Sequence, residues 1–263
     1  MQLELADPAL ARDPYPVYAA VREAAAVVDE ADGERRFLTR HAEVSAAFRD
    51  RRLGRIFWHR HSRESLGIPP GEPAWADPRW ARMAAFERWE LLALEPPEHT
   101  RLRRLVLEAF TPRAIEALRD PLAALARRLL DGAADAGAGT IELVAGYAAP
   151  LSLTVICDLL GIPEADRGVL VPLSHRIVAL YEPGVDEARA ADADEAAGTM
   201  RDLVLELIRA RRRRPSPDLL GALIEARVDG AALGDDQVAS TAMVLLMAGH
   251  EATVNAILRA LKE

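Results

Sequence analysis

The sequence predicts a mainly α-helical fold with one small β-hairpin near its start. Three observations predict it. Half of the 263 residues are hydrophobic but only 5% are aromatic, so the core must be built mostly from Ala, Leu and Val, a composition that starts an all-β reading at a disadvantage. From Pro97 onward, proline and acidic start signals recur ahead of apolar residues at helical spacing. The stretch from 235 to 262 is largely uncharged in its middle, as a long core helix requires.

Asp13-Pro14-Tyr15-Pro16 leads into a short helix over 17–23. Ala26-Val27-Val28-Asp29 and Arg36-Phe37-Leu38 are β-like runs flanking Asp32-Gly33. Asp-Gly supplies the positive φ angles of a hairpin turn, so these runs pair. Helix returns over 41–48. Residues 54–80 are interrupted by Gly54, Pro69, Pro70, Gly71, Pro73 and Pro78. Trp58, Trp75 and Trp80 fall among them and argue against simple disorder. Pro96-Pro97 fixes a helix start and Glu98 places an acid in its positive first turn. Thr111-Pro112 repeats the device, and Ile115, Leu118, Leu122, Leu125 and Leu129 then form one stripe expected to be buried. Pro121, inside that span, should kink or shorten the helix. Further helices are expected near 143–160, 164–180, 186–212 and 217–226. Arg211 to Arg214, before Pro215, read as a solvated cationic helix end. The last helix, 235–262, would span roughly 42 Å and be buried on nearly all sides. No repeat or linker divides the chain, so one domain over 1–263 is expected.

Composition excludes several classes of function. The net charge is −8 and lysine occurs once, at Lys262; without a basic tail, nucleic acid is not an expected partner. One cysteine, Cys157, leaves no disulfide framework and no multi-cysteine metal site. The start, Met1 to Asp7, carries an acid where a signal peptide needs positive charge. The apolar run Val244 to Gly249 is stopped by His250 and Glu251, short of the ~18 residues of a membrane span. No membrane contact and a cytoplasmic location are therefore expected. His250-Glu251 begins a zinc-protease motif that fails at Val254. Gly137 and Gly139 begin a dinucleotide pattern that fails at Glu142. His59 and His61 lack a third ligand nearby, so no metal site is expected.

Two segments carry chemistry. In Glu95-Pro96-Pro97-Glu98-His99-Thr100-Arg101-Leu102-Arg103-Arg104, His99 and Arg103 lie four apart on one helix face. Such a pair can grip an anion, because arginine binds carboxylate through a planar fork; an ordinary surface pair reads the same way. In Leu245-Leu246-Met247-Ala248-Gly249-His250-Glu251-Ala252-Thr253, a glycine, an acid and a hydroxyl fall at the centre of the long helix. Gly249 costs ~1 kcal/mol relative to alanine there, which indicates close approach of something flat or a local break. Glu251 is either a structural ion-pair partner or a functional acid.

Together, in this order, the segments resemble the bacterial soluble class of the cytochrome P-450 family. Glu95 to Arg103 is similar to that family's proline-proline-x-His-Thr-x-x-x-Arg stretch, and Ala248 to Thr253 to its Ala-Gly-x-Glu-Thr-Thr stretch. Phe37 to Val44 and Cys157 to Pro163 resemble further family segments, so the likeness runs from about Asp13 to the last residue. The resemblance implies the family's helical fold, heme b, a ferredoxin-type electron donor and dioxygen-dependent oxidation of a small organic substrate. It implies that His99 and Arg103 hold the heme propionates, that Ala248 and Gly249 let the long helix approach the macrocycle, and that Glu251 and Thr253 serve proton delivery. Residues 54–90, with Trp58, Trp75, Trp80 and Trp89, would either help form a substrate-access lid or simply pack.

Two departures bear on activity. The family's Glu-x-x-Arg helix and its cysteine loop, whose thiolate is the fifth iron ligand, are absent from these residues. Cys157 lacks the loop's glycines and reads as a core residue. A truncated, inactive monooxygenase is expected; a non-enzymatic helical module or one half of a split enzyme are the alternatives. Ala252 stands where the family usually has threonine, so a water, a substrate hydroxyl or Thr253 would have to compensate.

Overall fold

The structure, a computed structural model, describes residues 2–3, 8–30, 36–50, 52–54, 80–92, 94–110, 115–135, 140–181, 185–228 and 230–261. The hairpin tip at Asp32-Gly33, Trp58, Trp75, His59, His61, Thr111 and Pro112 lie outside the described residues. The chain forms two compact units, residues 1–55 with 181–184, and 56–180 with 185–263.

In the first unit, helices α1 (Pro8–Arg12) and α2 (Pro14–Ala24) precede the expected strands β2 (Val27–Glu30) and β3 (Arg36–Leu38). β2 and β3 pair antiparallel, with Val28 opposite Phe37. A further strand, β1 (Gln2–Leu3), adds in parallel to β2, giving the order β1-β2-β3. Asp13 Oδ1 accepts the Tyr15 N–H at the start of α2, and α3 (His41–Arg49) follows the sheet. Leu3, Leu10, Val21 and Val28 form this unit's core.

The second unit is helical. Its elements are α4 (Ala81–Glu87), α5 (Glu98–Ala109), α6 (Arg119–Asp135), a π-helical turn (Val144–Ala148), α7 (Ala149–Leu160), α8 (Glu164–Arg167), α9 (Leu170–Val178), α10 (Glu187–Arg213), α11 (Leu219–Glu225) and α12 (Asp235–Ala260). A small hairpin, β4 (Arg227–Val228) with β5 (Ala231–Ala232), precedes α12, with Gly230 at φ +79° between its strands. Phe86, Leu105, Cys157, Met200, Leu223 and Met243 are among the residues of one continuous core.

Pro121 shortens the helix and does not kink it: α6 begins at Arg119, so the proline sits in the first turn, where its missing N–H removes no bond. Three expectations are corrected. The stripe from Ile115 to Leu129 is not buried as a whole; Leu125 is, whereas Ile115 and Leu122 are exposed. The helix expected over 164–180 is divided into α8 and α9, because Pro172 demands a first-turn position. The 143–160 helix opens as a π-turn, with Ala148 N–H bonded to Leu143 O five residues back. Pro150, which lacks an N–H, follows at once.

α12 also departs from expectation. From Gln237 to Val244 every residue is buried, but Ala248, Ala252, Thr253, Asn255 and Ala256 are exposed. Only the first half is surrounded. By length and by the mean hydropathy of an 18-residue window (1.3), α12 is apolar enough to cross a membrane, so the apolar stretch is longer than the expected run ending at His250. Its buried first half packs as a core helix.

Two polar devices hold the second unit together. Asp194 of α10, buried, accepts the N–H groups of Arg82 (3.0 Å) and Met83 (2.8 Å) at the start of α4. Ser240 of α12 donates to Phe86 O (2.9 Å) near the end of α4. At another corner Arg211 of α10 donates to Asp218 Oδ2 and to Gly161 O, each at 2.6 Å. Gly161 ends α7 at φ +69°, and Asp218 caps α11 through the Gly221 N–H (2.8 Å).

Candidate functional site

The predicted anion-binding pair is set on α5. Leu102, Leu105 and Val106 bury one arc of this helix in the core. His99 lies at the edge of that arc and is half-buried; Arg103, about 40° further round, is exposed. Neither side chain bonds or ion-pairs with another described residue. An imidazole and a guanidinium one turn apart can both donate hydrogen bonds to an anionic group.

The second segment lies in the middle of α12. The helix runs through it without a break, so Gly249 serves close approach. What approaches is Ile156 of α7: a Cβ at Gly249 would meet its Cγ1 and Cδ1 at 3.0 Å. Ser152, one turn earlier on α7, places its hydroxyl between Gly249 O (2.8 Å) and His250 O (3.0 Å). Gly249 and Ser152 therefore seat α12 on α7. Ala248 lies about 100° from Gly249, on the exposed face that continues through Ala252 and Ala256.

His250 is 5% exposed, and its Nδ1 has no hydrogen-bond partner among the described residues. Burial, and then the charge of His175, push its pKa below the usual histidine range, with Glu251 opposing. Glu251 is half-buried and reaches away from the core to α9, where its Oε1 lies 3.6 Å from His175 Nε2. The His175 and His250 rings are 6.4 Å apart and tilted by 35°. Thr253 is exposed, and two helical steps set it about 160° round α12 from Glu251. The structure does not bring this hydroxyl to the acid.

Cys157 is fully buried in the core, and desolvation pushes its thiol up to about 11. It offers neither exposure nor a thiolate to a metal. No cluster of three or more His, Cys, Asp or Glu suited to a metal ion occurs among the described residues. Sequence reasoning missed His175, Ser152 and Ile156. Each acts across a helix–helix contact, and nothing local marks it.

No protein-family model matches the chain. Among curated proteins, it is 33% identical over 249 residues to a vitamin D(3) 25-hydroxylase from Pseudonocardia autotrophica, covering 94% of this chain and 56% of that one. It is also 33% identical over 257 residues to cytochrome P450 107B1 from Saccharopolyspora erythraea, covering 95% and 59% respectively. The chain thus spans less than two thirds of these relatives' length. Among solved structures, CalO2 superposes with a TM-score of 0.81 at 27% identity, over 100% of this chain and 63% of that one.

Proposed function

Because this chain belongs to the bacterial cytochrome P450 family, we propose that it supplies the propionate-binding and long-helix part of a heme-dependent monooxygenase. The observation that carries the proposal is the pair His99 and Arg103, unpartnered among the described residues on one edge of α5. These side chains would hold the heme propionates by charge-assisted hydrogen bonds. The exposed face of α12 beginning at Ala248 would lie along the macrocycle, and Glu251 would hold and release a proton beside it. Gly249 would act indirectly, by letting α12 seat on Ile156. Thr253 would contribute through water, since it faces away from Glu251.

Heme b supplies oxygen-activating chemistry when its iron carries a thiolate. These 263 residues contain one cysteine, and Cys157 is a buried neutral thiol. On their own they are therefore proposed to lack monooxygenase turnover. In a complete assembly the reaction would be oxidation of a small organic substrate in the cytoplasm, with electrons from a ferredoxin-type donor. A second reading is a helical module, or half of a split enzyme, whose partner covers the exposed half of α12.

Hemin titration of the chain tests the propionate assignment. His99→Ala and Arg103→Ala are each expected to weaken uptake about tenfold, the scale of one charge-assisted hydrogen bond. Unchanged uptake in both variants rejects it. A reduced carbon-monoxide spectrum of thiolate type from the chain alone would reject the proposed inactivity.

A further inference from the structure

We propose that the second unit contains a dry binding site for one small apolar gas molecule of dioxygen size, enclosed by α7, α9, α10, α11 and α12. A cavity of about 10 Å³ lies there, room for about one water-sized body. Every residue that lines it is apolar, and each is buried. Water held in a cavity needs several polar partners, and these walls offer none. An apolar guest meets the opposite situation. Lining atoms that face a void lose dispersion contacts on that side, and a guest with no hydrogen bonds to satisfy restores them.

Close packing normally removes such a void, and whether it persists depends on how far its walls can collapse. Here the walls are pinned. Leu160 and Ile162 flank Gly161, Leu207 precedes Arg211 by one turn, and Leu220 follows Asp218 by two residues. Arg211 donates to Gly161 O and to Asp218 Oδ2, each at 2.6 Å, which fixes the ends of α7 and α10 against the start of α11. Asp218 Oδ1 is taken by the Gly221 N–H. These polar groups satisfy one another and turn no polar atom into the void. Ala242 and Leu246, four apart on one face of α12, supply that helix's share of the wall. Ala248 lies about 160° round the helix from Leu246, so the cavity is separate from the exposed face proposed to meet the macrocycle.

Dioxygen is paramagnetic, so a molecule in the cavity speeds the relaxation of the methyl groups around it. The test compares methyl relaxation by nuclear magnetic resonance in the 263-residue chain under dioxygen and under nitrogen at equal pressure. Methyls of Leu160, Leu170, Leu220 and Leu246 are expected to gain several-fold more relaxation under dioxygen than those of Leu105 and Ile177, which are equally buried but lie outside the lining. Ala242→Val and Val204→Ile each add carbon to the void, and each is expected to abolish that excess while the rest of the spectrum stays native. Where Ala242→Val does not fold, the single methylene added by Val204→Ile decides. Equal enhancement in lining and control methyls overturns the proposal. So does an excess that survives filling, or magnetisation transfer from water to the lining methyls of the parent chain. No readout needs a bound heme, so the outcome is independent of the propionate assignment.

Discussion

A neutral histidine inside the second unit ties stability to pH. Burial lowers the pKa of His250 in the folded chain, so as pH falls through the ordinary histidine range the unfolded chain takes up the proton first. Its contribution to stability is present above about pH 6.5 and is lost below it. Urea midpoints should therefore fall between pH 7 and 5.5 and fall less in His250→Leu; an equal fall in both would remove the assignment. Cys157 has the opposite sense: with its thiol pushed up to about 11, it should resist alkylation at pH 8 in the native chain and react once the chain is unfolded. At this scale the sequence was informative where chemistry is local. That His99 and Arg103 lie one turn apart on a helix was legible from their spacing, and the burial of Cys157 from its apolar setting. His175, Ser152 and Asp194 were not, since each partner lies on another helix and no short-range pattern encodes it.

Among the elements, α4 depends most on others. A seven-residue helix is marginal in isolation, and this one is tied at its start by Asp194 and near its end by Ser240. Asp194→Ala should cost about 1–2 kcal/mol in chemical denaturation, the scale of a lost helix cap. It should also raise amide exchange in 81–87 more than elsewhere. In α11, a Cβ at Gly221 would lie 2.1 Å from Ser216 O, so Gly221→Ala should destabilise by at least about 2 kcal/mol despite its better helix propensity. Helix positions were legible because proline, acid and apolar spacing are local signals. The division into α8 and α9 was legible too, in Pro172, but periodicity alone ran across it. The β4–β5 hairpin carries the same Asp-Gly signal, at Asp229-Gly230, that located the first one. Two-residue strands give too little alternation to stand out beside it.

At the scale of the whole molecule, burial is unequal along α12. Hydrophobic composition indicates that a segment is to be covered, not by what, and here the cover ends near His250. Amides of 252–260 should exchange with solvent faster than those of 238–246; uniform protection along the helix would contradict the exposure described. A second corner of the fold lies where α10 closes, beside the start of α12, with Arg212 paired to Asp235. Arg211 joins the close of α10 to the close of α7 and, through Asp218, to the opening of α11. Arg211→Ala would strand a buried carboxylate and should cost about 3 kcal/mol. Because α7 also carries Ser152, the anchor of α12 at Gly249 and His250, a lesion at this hinge-pin would propagate: slippage of one rod would shift the seat of another, and with it the reach of Glu251.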